Sequence, residues 1–175
     1  FARRGIAMKD IGRYIRRGVN MGIGTDTYPH NMLDEMRLAA HIARTQANDP
    51  RTMTTTDLFN AATIGGAKAL GRDDIGRLAV GCKADFSLVD ITHPMIRPAY
   101  DPVRSLIYSA GDRALKAVFV DGNKVVEDGE VLTMDYRQAA AHLNEAQKRI
   151  AGSVTERDWA HRSAEKIAPP TFHWS

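Results

Sequence analysis

Asp26 closes a nine-residue run, Gly18-Val19-Asn20-Met21-Gly22-Ile23-Gly24-Thr25-Asp26, that ends an apolar stretch on an ionisable side chain. Two chemistries are open to a carboxylate, proton transfer and ligation of a hard cation through oxygen. Val19, Met21 and Ile23 alternate with small residues, which predicts a buried parallel strand crowded by its neighbours. Gly22 and Gly24 would weaken an isolated strand, so they predict the close approach of another backbone or a ligand. The run therefore brings Asp26 to the C-terminal end of a strand, the end where barrels and open α/β sheets carry their chemistry. The plainer reading is that Asp26 only opens the turn Thr27-Tyr28-Pro29-His30-Asn31. His30 and Asn31 follow within five residues. Asn31 suits a helix N-cap as well as a polar contact, and His30 suits either a ligand contact or a solvated loop. Cys82 sits in a glycine-rich turn with no neighbouring base, so it is no nucleophile.

The elements around this run predict how it is held. Residues 7–17 have Met8, Ile11 and Ile15 at helical spacing, with Gly18 as the stop and arginines in the last turn. A helix over 32–47 carries Met32, Leu33, Met36, Ala39, Ala40 and Ala43 on a broad apolar stripe, with Asp34 and Glu35 in its first turn. Thr55 or Thr56 opens another helix that runs through Leu70 to Gly71. Its Gly65-Gly66 pair costs about 1 kcal/mol per glycine against alanine, which tight packing or a helix break would equally explain. Beyond Arg72 the composition turns to short β-type runs at 86–91 and 116–121. Asp121-Gly122 and Asp128-Gly129 mark hairpin turns. Asp135 or Thr133 opens a last helix over roughly 136–151. A short helix near 155–166 follows, ahead of an aromatic tail with Trp159, Phe172 and Trp174.

Composition narrows the functional classes. At 175 residues the chain can bury a real core. Its net charge of +3 is unevenly placed, with Arg3, Arg4, Lys9, Arg13, Arg16 and Arg17 against Asp10 in the first 18 residues. No aromatic interleaving or nucleic-acid motif accompanies that patch, so a solvated helix face is expected and not a nucleic-acid partner. The absence of a long apolar run argues against membrane insertion. A single cysteine excludes an internal disulfide and any multi-cysteine zinc site, and suits a cytoplasmic location. The chain begins at Phe1, which suggests residues upstream.

The order of segments is informative. The strand ending in Gly24-Thr25-Asp26 precedes two helices, the second holding Ala62-Thr63-Ile64-Gly65-Gly66-Ala67-Lys68-Ala69-Leu70-Gly71. Next come Ile75-Gly76-Arg77-Leu78-Ala79-Val80-Gly81-Cys82-Lys83-Ala84-Asp85-Phe86, Asp101-Pro102-Val103 and Val118-Phe119-Val120-Asp121-Gly122. From residue 5 to about 150 this resembles the C-terminal portion of the metal-dependent amidohydrolases, in the branch of the cytosine deaminases and atrazine chlorohydrolases.

The resemblance implies an α/β fold. Residues 1–71 would be the last part of a (β/α)8 barrel, with 19–25 as its eighth strand. Residues 72–134 would be a portion of the flanking small β-sandwich, and 135–175 a C-terminal helix and tail. Asp26 would match the aspartate that binds one divalent metal, zinc by first choice or iron, and accepts a proton from the attacking water. His30 and Asn31 would face a small heterocyclic substrate whose C–N or C–Cl bond is hydrolysed. The family also implies a homo-oligomer. Its His-x-His pair and two later histidines have no counterpart here, because all six histidines follow Asp26. A barrel of this kind needs about 250 residues, so the chain is expected to be a fragment, inactive alone. Alternatives are a cyclic amide hydrolase of the dihydroorotase or hydantoinase kind, or a non-catalytic remnant serving as an interaction module.

Overall fold

The computed structural model describes residues 5–26 and 28–172. Arg3, Arg4, Thr27, His173 and Trp174 lie outside the described residues. The chain forms two compact units, one up to Glu130 and one from Val131 onward.

The first unit is built on α2 (Met32–Ala47), whose Asn31 side chain caps it by accepting from the Leu33 and Asp34 amides. Met36, Ala40 and Ala43 recur at helical spacing and are buried, the inner part of the stripe that the spacing predicts. They pack with Ile11, Met53, Leu58 and Ile107 into one core, with Met32 and Leu33 at its edge. Arg44 extends from α2 to the carbonyls of Thr52 (3.2 Å) and Met53 (3.0 Å). This ties the 48–54 turn back onto the helix.

Two helices of this unit differ from the sequence expectation. The first, α1, covers only Ile11–Arg16, because Asp10 takes a left-handed conformation (φ 57°) and the helix cannot extend back to residue 7. Met8 is accordingly exposed. The helix expected over 55–70 is capped by Thr54, one residue before the expected cap. Thr54 and Asp57 exchange side-chain and backbone hydrogen bonds in a capping box. It runs as α3 (Thr55–Asn60), a π-helical turn (Ala61–Gly65) and α4 (Gly66–Ala69).

After Gly71 the chain crosses back over this helix. A β-carbon at Gly76 would lie 2.9 Å from the Thr63 carbonyl oxygen, and Gly76 has φ 83°, so glycine is required there. A small sheet follows, ordered β1 (Phe86–Val89), β2 (Leu115–Val120), β3 (Asn123–Glu127) and β4 (Glu130–Val131). β2 pairs antiparallel with both β1 and β3. Asp121 (φ 50°) and Gly122 (φ 78°) form the β2–β3 turn as expected. Phe86 and Phe119, directly opposite, stack with centroids 4.5 Å apart. Between β1 and β2 lie short helical pieces, including α5 (Pro102–Ser105) and a π-helical turn over Leu106–Ala110. Ile96, Ala110 and Ala114 form a second small core there.

In the second unit the long helix α6 opens on Asp135 and spans Tyr136–Arg157, six residues beyond its expected end. The expected helix near 155–166 is divided between the end of α6 and α7 (Ala164–Ile167). The link between them is held by Asp158, which accepts from Arg162 Nη2 at 2.7 Å and Nε at 2.9 Å. Those guanidinium hydrogen bonds, with backbone amides of Arg162 and Ala160, hold the Asp158 carboxyl well below the usual aspartate range. The contribution is therefore present above the unfolded aspartate pKa of about 3.9 and fades only as pH falls below it. NMR titration of the Asp158 carboxyl carbon should show a depressed midpoint that moves up toward about 3.9 in Arg162→Ala. An unchanged midpoint would refute the assigned cause. Trp159 carries the Arg162 guanidinium 5.6 Å from its ring centroid and is 86% exposed. Among the described residues, no helix is long and apolar enough to cross a membrane.

Candidate functional site

Residues 19–26 depart from the strand that periodicity predicts. No ladder pairs them with a neighbour among the described residues, so they are not a strand in this chain. The physical reason is that a parallel strand exists only through partners on its edges, and the sheet here is built from residues 86–131. The period of two survives in the burial. Met21, Ile23 and Thr25 are half-buried, while Asn20, Gly22, Gly24 and Asp26 are exposed. Met21 and Ile23 lie against the α2 core.

What holds the segment is the π-helical turn. The Ile23 amide donates to the Ala61 carbonyl at 3.2 Å, and Asn20 Nδ2 donates to the Gly65 carbonyl at 3.0 Å. A β-carbon on Gly65 would stand 2.1 Å from the Met21 carbonyl oxygen, and one on Gly22 would meet Gly66 Cα at 3.5 Å. Gly22 thus marks a close backbone approach, as its place in the run predicts. The Gly65-Gly66 pair serves both alternatives that the sequence leaves open, an interrupted α-helix and a tight contact. The part played by Asn20 had a signal, a polar residue inside an apolar run, that sequence reasoning passed over.

Asp26 ends the segment in a left-handed conformation (φ 55°), which aspartate tolerates better than most residues. Its carboxylate is exposed. No hydrogen bond or ion pair engages it among the described residues. His30 is exposed, and its Nδ1 lies 3.1 Å from Thr25 Oγ1, closing the loop at the base of Asp26. Asn31 commits its Oδ1 to the α2 cap (3.1 and 3.3 Å), and among the described residues its amide nitrogen makes no hydrogen bond. Asp26, His30 and Asn31 thus belong to one short loop. A cleft formed by Asp10, Arg13, Arg16, Asp49 and Thr52 lies elsewhere and includes none of the three. His41 lies on α2 with its ring edge-on to Tyr108.

Zinc takes four ligands, three of them from protein even in catalytic sites. Among the described residues, no group of three or more His, Cys, Asp or Glu side chains converges to hold a metal ion. The described residues therefore do not by themselves make a metal centre.

Comparison with known proteins decides the family. Residues 3–125 match the amidohydrolase family. The chain belongs to that family. Among curated amidohydrolase relatives, a 5-methylthioadenosine/S-adenosylhomocysteine deaminase of Natronomonas pharaonis is 37% identical over 150 residues, covering 81% of this chain and 35% of that protein. The corresponding deaminase 1 of Syntrophus aciditrophicus is 32% identical over 151 residues, 83% of this chain and 34% of its own length. An adenosine deaminase from Xanthomonas campestris, solved with bound zinc, superposes with a TM-score of 0.74 at 34% identity. It matches 79% of this chain and 33% of that one. The atrazine chlorohydrolase of Arthrobacter aurescens TC1, also solved with zinc, gives 0.71 at 28% identity over 82% of this chain and 33% of its own. The fold is thus that of the α/β metal-dependent hydrolases, and the chain spans about a third of the length of the relatives it matches.

Proposed function

We propose that this chain is the part of an amidohydrolase that carries Asp26 to the reaction centre, and that the whole enzyme is a hydrolytic deaminase of adenosine derivatives. The observation that supports this best is an exposed, unengaged carboxylate at the end of a segment with strand-like burial, in a chain over 30% identical to such deaminases. In this reading residues 1–71 close a barrel in which 19–25 is the eighth strand, 72–134 contribute to the small sandwich, and 135–175 form a helix and tail. Asp26 would supply one oxygen ligand to a divalent metal, zinc before iron. It also accepts the proton of the attacking water. The metal's contribution is to lower the pKa of that water. Water adds at the ring carbon bearing the amino group, the C–N bond breaks and ammonia leaves. His30 and Asn31 contact the heterocycle. The remaining metal ligands come from polypeptide outside these 175 residues, so the chain alone is inactive. A homo-oligomeric, cytoplasmic enzyme acting on neither nucleic acid nor membrane fits the same reading.

Chloride-releasing hydrolysis is the second reading, favoured by the chlorohydrolase neighbours. The deaminase reading stands first because the curated relatives share more identity. A chimera decides between them. Residues 5–150 replace the matching segment of the Xanthomonas campestris adenosine deaminase, and ammonia or chloride release is followed with adenosine, S-adenosylhomocysteine and atrazine. Zinc-dependent ammonia release from an adenosine derivative is expected. A zinc-loaded chimera that releases only chloride, or neither product, would overturn it. So would turnover by the 175-residue chain alone.

A further inference from the structure

The contact between residues 20–23 and the helix over 55–69 is more specific than packing requires. Two hydrogen bonds, Ile23 N–H to Ala61 O and Asn20 Nδ2 to Gly65 O, attach the segment to the two ends of a single π-helical turn. Between them the Gly65 backbone presses on the Met21 carbonyl, with no room for a side chain, and Gly22 faces Gly66. A regular α-helix would carry these carbonyls at a different angular spacing, since a π-turn widens the helix by one residue. The segment cannot slide along the helix by one residue without parting both hydrogen bonds and carrying the Met21 carbonyl away from Gly65, where the missing side chain leaves it room.

A slip of that kind matters because of the period-two burial. Moving the segment by one residue would exchange Ile23 and Thr25 for Gly22, Gly24 and Asp26 on the core side. The carboxylate would then turn inward.

We propose that Asn20 is a positioning residue. Through its amide bond to Gly65 it locks the register of residues 19–26 on the π-helical turn and so sets where the Asp26 carboxylate is presented. The proposal rests on the assignment of Asp26 above for its catalytic consequence, and on the structure alone for its register. Asn20 itself touches neither substrate nor metal.

The test has two arms. In the 175-residue chain, amide hydrogen exchange is measured at Ile23 and, as an internal reference, at Leu58, which donates within its own helix to Thr54 O. Asn20→Asp keeps the side-chain shape but removes the donor. It is expected to speed exchange at Ile23 at least tenfold and to leave Leu58 unchanged. If Asn20→Asp exposes Leu58 as well, Asn20→Ala, which adds no charge, carries the comparison. In the chimera, the same variants are expected to lower kcat by about 10- to 100-fold, the scale of an ångström-level misplacement, with KM nearly constant. Gly65→Ala, which pushes from the helix side, should reproduce that pattern.

Unaltered exchange at Ile23 in both Asn20 variants would overturn the register lock. So would unaltered kcat in a chimera that Asp26→Asn has inactivated. A chimera still active with Asp26→Asn would instead remove the catalytic reading, leaving the exchange arm to decide the register alone.

Discussion

Asp26→Asn in the chimera is expected to lower kcat by about 10²- to 10⁴-fold, the usual range for a positioned proton-transfer group. Asparagine is the informative replacement for two reasons. It tolerates the left-handed backbone at this position (φ 55°), so it adds little strain. It also preserves shape while removing the charge that would ligate a cation and accept a proton. Bulkier or β-branched residues would add conformational strain at that φ and confuse the result. Ammonia release gives kcat, and metal analysis of the same sample should show reduced zinc. If kcat and zinc content both match the parent chimera, Asp26 is neither ligand nor base, and the plainer reading of a turn-forming aspartate prevails.

Leu58→Ala should destabilise the first unit by about 2–5 kcal/mol, the cost of an apolar cavity that its surroundings only partly fill. Leu58 is fully buried, and its cluster brings together Ile11 before the Asp26 segment, Met36, Ala40 and Ala43 from α2, and Ile107 from the second π-turn. The same helix that carries Leu58 continues into the turn that grips residues 20–23. The cavity therefore loosens the scaffold under Asp26 as well as the core. The shift of the urea midpoint by circular dichroism measures it. A loss under 1 kcal/mol would mean that α2 and α3 are held apart from one another's packing.

Much of this architecture is legible in the chain because local chemistry dictates it. Asn31 with Asp34 and Glu35 places the start of α2 to the residue, and Asp121-Gly122 places the hairpin, since capping and φ > 0 turns depend on adjacent residues alone. The Asp26 segment is legible in a different way. Its alternation of side chains is real, but ladder pairing depends on partners that lie elsewhere, and sequence periodicity says nothing about whether they are present. The π-turn is the least legible element. Ala61–Gly65 carries an ordinary helical pattern, and the turn coincides with the close approach of the Met21 carbonyl to Gly65, a contact between residues 44 positions apart. Asn20 stands out only as a polar residue inside an apolar run, and its partner, the Gly65 backbone carbonyl, has no sequence signature of its own. The α1 start is illegible because Asp10 enters the left-handed region, which spacing alone does not reveal.

One feature of the second unit bears on how the chain responds to its surroundings. α6 runs for 22 residues without a single buried side chain. Its persistence therefore rests chiefly on the helix propensity of its own sequence and on the Asp135 cap. A helix of that kind frays and reforms on the microsecond scale. Warming is expected to shorten it, and limited trypsin digestion should cut at Arg149 or Arg157 before any site within residues 32–69. Propensity thus sets the stability of α6, and packing that of the core around α2.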